Sequence, residues 1–265
     1  MTQREAAGRL GDERSSIASF WDELAAHYDT RYDVDGIDRH ALTARLRVIL
    51  RLLDRPPGDA LDAGMGGGRL CHALDRLGWR VSGVDISTAM VDIARARLPH
   101  RRTDFVTGSI ESLPYGDAAF DAVFASGVLE YTDVRRSLGE LARVLAPGGT
   151  AIVSYPNPRA PYALWRTRVW YPLVRALRRV TNPTDRTPPR GGPPLPPGEF
   201  RALLAKAGLE VTTAVHTSYI PLLSPLDELF PSLARSVGGW LERTHPRLGP
   251  VLGTQVVYAA RRQDE

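Results

Sequence analysis

The sequence predicts a doubly wound α/β fold. Between Asp59 and Tyr155, short apolar strands alternate with helices of 10 to 13 residues. Such helices are crossover connections, which make neighbouring strands parallel and cover both sheet faces. Only four of the 21 prolines precede residue 147 (Pro56, Pro57, Pro99 and Pro114), so the regular half of the chain comes first. A glycine cluster, LDAGMGGG at 61–68, stands where the first strand turns into its helix.

Residues 15–54 read as two helices, SIASFWDELAAHYDTRY and DRHALTARLRVILRLLD. The second carries Leu42, Leu46, Ile49, Leu50 and Leu53 at helical spacing, and Pro56 and Pro57 stop it. Then follow strand DALDA, the glycine turn, helix 68–78, strand WRVSGVD, helix 87–98, strand TDFVTG, a loop, strand FDAVFAS, helix 133–145 and strand GTAIVSY. Later, EFRALLAKAG is a helix ending at Gly208, followed by strands LEVTTAVHTSYI and GTQVVYAARR. One domain over 1–265 is expected: an N-terminal helical cap (1–55), a ligand-binding core (56–155), a basic insert (156–197) and a C-terminal part of the sheet (198–265) with a second insert at 221–252.

Long connections inside a compact domain are usually binding elements. The first insert holds eight arginines between Arg159 and Arg190 against one acid, Asp185, so it carries +7 of a chain whose total is +4. Trp165, Val169, Leu173, Leu177 and Val180 follow helical spacing, Pro172 starts a second short helix, and PTDRTPPRGGPPLPP is too proline-rich for regular structure. Three readings are open. The insert is a lid with Tyr162, Trp165, Trp170 and Tyr171 as walls, a contact for an anionic membrane surface through residues such as Arg175, Arg178 and Arg179, or a solvated face.

Composition excludes several classes. No apolar run approaches the roughly 20 residues of a spanning helix, and MTQREAAGRLGDERSS has no apolar stretch of a secretory signal, so a cytoplasmic location is expected. The single cysteine, Cys71, allows no intrachain disulfide and argues against a zinc site; no metal is expected. The single lysine, Lys206, leaves no GK[ST] phosphate loop and makes pyridoxal chemistry improbable.

Glycines at 64, 66, 67 and 68, at the end of a parallel strand, let the backbone approach a ligand closely. Asp62 precedes them, and Asp85 ends the next strand, placed to accept both hydroxyls of a ribose. A dinucleotide dehydrogenase fits worse: Arg69 stands where GxGxxG needs its third glycine, and an acid before the glycines suits an ammonium group better than a pyrophosphate.

LDAGMGGGRL, VSGVDIST, GSIESLPYGDAAFDAVFASGVLEYTD and LARVLAPGGTAIVSYPN, in this order, resemble the class I S-adenosylmethionine-dependent methyltransferases of the small-molecule type, related to quinone and natural-product methyltransferases. The resemblance is close over 59–155 and looser over 197–219 and 253–261. It implies a Rossmann-like sheet with an antiparallel final strand, supplied by TQVVYAARR, and S-adenosyl-L-methionine as cofactor. It implies that Gly64, Gly66 and Gly68 lie against the methionyl part, that Asp62 supports its amino group, and that Asp85 takes the ribose hydroxyls. Ile86 covers an adenine face, Ser126 and Gly127 border the methionyl group, and Tyr28 joins the cofactor site. Two positions depart from the pattern. Met65 replaces the commoner Cys, and Ser109 stands where many relatives have an Asp for the adenine amino group, with Ile110 and its backbone N–H as the compensating contact.

A general base is needed only if the acceptor must lose a proton. Glu130, Tyr131 and His27 are the catalytic candidates, with Tyr155 and Asn157 behind them. His40, His72, His100 and His245 read as structural, and His216 is open. The expected acceptor is a small aromatic or lipophilic molecule, with O-methylation ahead of N or C, in bacterial secondary metabolism. The alternatives are a peripheral-membrane methyltransferase of a quinone- or lipid-like acceptor, or a noncatalytic cofactor-binding member of the fold. Nucleic acid is disfavoured, because ASGVLEY replaces the Asn/Asp-Pro-Pro-aromatic motif of base amino-methyltransferases and Cys71 is in the wrong helix for cysteine-dependent base methylation.

Overall fold

A computed structural model describes residues 3–30, 37–99, 104–174, 176 and 193–263. Its centre is a seven-stranded sheet in the order β3-β2-β1-β4-β5-β7-β6. The strands are β1 (Asp59–Ala63), β2 (Arg80–Asp85), β3 (Asp104–Thr107), β4 (Phe120–Ala125), β5 (Leu145–Pro156), β6 (Leu209–Tyr219) and β7 (Gly253–Arg262). β1 to β5 pair in parallel, and β7 runs antiparallel between β5 and β6, as the resemblance implied for TQVVYAARR. The order reverses at β1, where the connection from β3 crosses back to β4. There the carboxyl ends of β1 and β4 open a crevice, the usual ligand position in such sheets.

The two-residue period of each strand sorts its side chains between two cores. Leu61, Val123, Val153 and Val256 join one face with Leu138, Leu141, Phe200 and Leu204. Their neighbours Ala60, Ala122, Ile152 and Val257 join the other face with Val48, Ile49, Leu70 and Leu74. The first face is covered by α5 (Val134–Val144) and α7 (Pro197–Lys206), the second by α2 (Ile37–Leu52) and α3 (Arg69–Arg76). α4 (Thr88–Arg97) adds a third cluster through Val91 and Ala94.

α1 (Gln3–Thr30) begins well before the residues whose periodicity announced it; QREAAGRLGDER lacks an apolar stripe but is rich in good helix formers. α6 (Pro161–Trp165) opens the basic insert and continues as a π-helical turn over Arg166–Trp170. It packs on the second insert, which holds α8 (Leu226–Leu229), α9 (Pro231–Thr244) and α10 (Gly249–Leu252). The Tyr162 hydroxyl donates to Asp227 Oδ2 at 2.5 Å, and the Trp165 indole to the Ser224 carbonyl at 2.7 Å. Among the described residues the insert lines no part of the cleft, so Tyr162 and Trp165 are anchors between inserts rather than walls of a ligand site. Arg175, Arg178 and Arg179, the proline-rich stretch to 192, and His100 lie outside the described residues.

Candidate active site

At the crevice, a cleft of about 1170 Å³, its open mouth included, runs between the carboxyl ends of the strands and the helices α1 and α2. β1 delivers Asp62 and the glycine turn. Gly66 has φ +52 and nothing within 4 Å of where a Cβ would point, so its backbone borders open space. Gly68 differs: at φ +74 its missing Cβ would meet Ala94 Cβ at 2.8 Å, so it serves the close approach of α4 and does not line the cleft. Gly67 lines the cleft instead, with its carbonyl accepting from Arg97. Gly64 lines it beside Val128. Met65 lines the cleft and also packs into the third cluster over Gly83.

Of the two acids, Asp62 in β1 is buried and Asp85 at the end of β2 is half-buried. Burial pushes the Asp62 carboxyl up to about 7, against a hydrogen bond from Cys71 Sγ at 3.5 Å and with the charge of Asp85 adding to the rise. Asp85 is raised by burial as well; its Oδ1 accepts from Ser87 N and its Oδ2 from Gly66 N, both at 2.9 Å. Two desolvated carboxyls facing a cleft suit a ligand that brings an ammonium group and hydroxyls. Ile86, Ser109 and Ile110 line the adjoining part of the cleft, where Ser109 Oγ accepts from Glu111 N at 3.2 Å. Ser126 and Gly127 border it after β4, with Gly127 N donating to Ser154 Oγ at 2.9 Å.

A second cavity, about 770 Å³ with its mouth, adjoins the first under α1. Trp21 meets Phe20, Tyr28 and Tyr131 edge-on at 5.2 to 5.4 Å between ring centroids, an aromatic wall built from α1 and from the turn after β4. Tyr28 and Tyr131 line both cavities, and Glu130 lines the second. His27, on the same helix as Tyr28, is exposed and lines neither: two successive residues of a helix point about 100° apart, and the face that carries Trp21 and Tyr28 is not that of His27. Tyr155 and Asn157 are also removed from the cavities. Tyr155 stacks on Phe200 at 4.1 Å and accepts from Leu195 N, while Asn157 Nδ2 donates to the carbonyls of Pro250 and Gly253. His216 and His40 are both lowered by burial, and neither lines the cleft.

Sequence reasoning missed three groups. Trp21 and Ile17 line the cleft because α1 lies across it, which no local pattern announces. Asp22 fastens that helix: its Oδ1 accepts from Ser87 Oγ at 2.6 Å and from Ala89 N at 3.1 Å, at the start of α4 where a negative charge is favoured. Arg45 is 8% exposed and lines both cavities. Its signal was available, as the one charge on the apolar stripe of Leu42, Leu46 and Ile49.

A family profile described as a methyltransferase domain matches residues 61–153. The demethylmenaquinone methyltransferase of Thermus thermophilus is 33% identical over 203 residues, covering 71% of this chain and 90% of that one. The enzyme of the same name from Renibacterium salmoninarum is 29% identical over 182 residues, covering 68% of this chain and 74% of that one. Among solved structures, geranyl diphosphate C-methyltransferase from Streptomyces coelicolor, in complex with Mg2+, geranyl diphosphate and S-adenosyl-L-homocysteine, superposes with a TM-score of 0.60 at 21% identity, covering 94% of this chain and 97% of that one. At that identity the likeness speaks for the fold.

Proposed function

This chain belongs to the class I S-adenosylmethionine-dependent methyltransferases, and we propose that it methylates a small aromatic, quinol-like acceptor held in the cavity under α1. The single observation that carries the acceptor class is continuity. Trp21, Tyr28, Leu42, Arg45, Gly127 and Tyr131 line both the cofactor cleft and the aromatic cavity, so a ring seated there borders the methyl group. Relatives named for a quinone support the same class.

S-adenosylmethionine supplies a methyl group already activated on a sulfonium, so transfer mainly requires an acceptor aligned about 3 to 3.5 Å from it. In our reading Asp85 accepts the ribose hydroxyls, and the backbone of Gly64, Gly66 and Gly67 faces the methionyl chain. Asp62, through that turn, supports its ammonium, Ile86, Ser109 and Ile110 surround the adenine, and Ser126 and Gly127 border the sulfur. Tyr28 and Tyr131 orient the acceptor, and Glu130 is the acid within its cavity. His27 leaves the catalytic set because of its position. Methyl transfer to oxygen and a place in bacterial secondary metabolism are part of this proposal.

The test is incubation with methyl-labelled cofactor and a panel of hydroxyarenes, quinols, aliphatic amines and acyl carboxylates, read by mass spectrometry. Labelled product from the ring compounds is expected, its fragmentation separating oxygen from carbon. Product from amines or carboxylates alone overturns the reading.

A second, compatible reading is contact with an anionic membrane surface. Leu226 and Leu229 on α8, Phe230 at the break that follows it and Leu233 in the first turn of α9 are exposed. Their insert is bonded through Ser224 and Asp227 to the segment that carries +7. Exposed apolar side chains beside arginines are the composition of a surface-seeking element.

A further inference from the structure

The two acids of the cleft are held in different ways. Asp85 takes its hydrogen bonds from backbone N–H groups, those of Ser87 and Gly66, which the turn supplies whatever its side chains. Asp62 takes none from the backbone. Among the described residues the donor to its carboxyl is the thiol of Cys71, with Sγ 3.5 Å from Oδ2. Asp62 is 2% exposed and lines the cleft, whereas Cys71 is wholly buried and does not line it, so the thiol meets the carboxyl from the protein side.

α3 brings the thiol there. Its buried residues are Leu70, Cys71 and Leu74; the two leucines join the core shared with α2, while Cys71 packs with Val91, Ala94 and Phe105 and reaches Asp62 with its sulfur. Alanine or valine would suit the same apolar neighbours and would leave Oδ2 without its donor. A thiol donates more strongly to a carboxylate than to a neutral carboxyl, so the contact favours the ionised acid. Burial holds the Cys71 thiol well above its ordinary range, so the donor is present wherever Asp62 titrates. We propose, resting on the reading above that Asp62 supports the cofactor's ammonium, that Cys71 is a positioning residue of the cofactor site, its thiol holding Oδ2 so that the carboxyl meets the cofactor ionised.

Other charges bear on this pair. Asp85, from β2, opposes a negative charge on Asp62, and Arg97, from α4, favours one on the thiol. Arg45 of α2 and Arg69 at the start of α3 line the same cleft. Against burial and Asp85, the thiol is the contact within the fold that keeps the proton off Asp62. Without it the acid is neutral to a higher pH, and a neutral acid attracts an ammonium group far less than a carboxylate does. The loss therefore falls on cofactor affinity at the acid end of the range and fades as pH rises. A defect of packing alone does not follow the titration of one acid.

Calorimetric titration of the full chain with S-adenosylhomocysteine, from about pH 5 to about pH 9, locates the midpoint at which affinity rises. In Cys71→Ala and Cys71→Val that midpoint is expected about 0.5 to 1 unit higher, with affinity about 3- to 10-fold weaker below it and the difference shrinking as pH rises. Cys71→Ser keeps a donor and should return the midpoint to that of the unaltered chain. The unaltered chain gives an independent reading. Cys71 is its only cysteine, so the S–H stretching band in the infrared belongs to that thiol alone. The band should move to lower frequency as Asp62 ionises, and should stay fixed in Asp62→Asn. If the apolar variants fail to fold, the band decides alone. An unmoved midpoint in both apolar variants, a serine variant displaced as far as they are, or a band indifferent to pH overturns the role of Cys71 and leaves the ammonium reading standing. One and the same pH dependence in the unaltered chain and in Asp62→Asn overturns the ammonium reading, and this inference with it.

Discussion

Burial gives the Asp62 carboxyl two measurable consequences. Its native pKa, about 7, exceeds the ordinary carboxylate value near 3.9. Between those values the folded chain holds a proton that the unfolded chain has released, so the contribution of Asp62 to stability decreases as pH rises from about 4 to about 7. Asp85, raised by burial, acts in the same direction. Melting of the ligand-free protein should therefore fall over that range, and Asp62→Asn should flatten the fall. A cationic amino group needs the ionised carboxylate, so S-adenosylhomocysteine affinity should rise from about pH 5.5 to about 7, with proton release visible by calorimetry in buffers of different ionisation enthalpy. Affinity independent of pH in that window would detach Asp62 from the ammonium. Asp85→Ala removes two hydrogen bonds to a charged acceptor and should weaken cofactor binding by about 2 to 4 kcal/mol, also read by calorimetry.

At the scale of elements, the glycine turn divides its labour. Gly68→Ala places a methyl 2.8 Å from Ala94 Cβ at a positive φ, so it should lower the melting temperature. Gly66→Ala adds a methyl in open space at the same kind of φ, costing about 1 to 2 kcal/mol of backbone strain, and should act mainly on cofactor affinity. Equal effects of the two on binding would return Gly68 to the ligand site. α1 supplies a comparable test. Asp22→Ala leaves Ser87 Oγ and Ala89 N without their carboxylate acceptor, so hydrogen exchange in α1 should accelerate. Cofactor affinity should fall with it, since Ile17, Trp21 and Tyr28 come to the cleft only through that docking.

For the whole molecule, the two inserts form one body through Tyr162, Trp165, Ser224 and Asp227, beside the sheet and clear of the cleft among the described residues. Tyr162→Phe removes the donor to buried Asp227 and should cost about 1 to 3 kcal/mol of stability with cofactor affinity unchanged, a pairing measurable by denaturant melts and calorimetry. Among the described residues no helix is long and apolar enough to cross a membrane. Cosedimentation with anionic vesicles, weakened by salt and by Leu229→Ser with Phe230→Ser, is the expected outcome of the membrane reading. Equal recovery with neutral vesicles, or none with either, removes it.

Periodicity and punctuation alone determined the order of strands and helices between Asp59 and Tyr155, though not the three helices of the second insert, because alternate burial in strands and glycine or proline at their ends are local consequences of backbone geometry. The two acids and the glycine turn were legible for the same reason: DALDA and WRVSGVD end where Asp62 and Asp85 must face the crevice. Which glycine meets a ligand and which meets a helix was not legible, since only the packing of α4 sets Ala94 against Gly68 while Gly67 lines the cleft. Nor was the fate of His27 and Tyr28, neighbours in sequence that the docking of α1 sends to solvent and to the cleft. Arg45 and the aromatic wall of Phe20, Trp21 and Tyr131 exist as a site only after three distant segments converge. Convergence of that kind is set by packing between elements, and a side chain's chemistry follows from the neighbours that packing gives it.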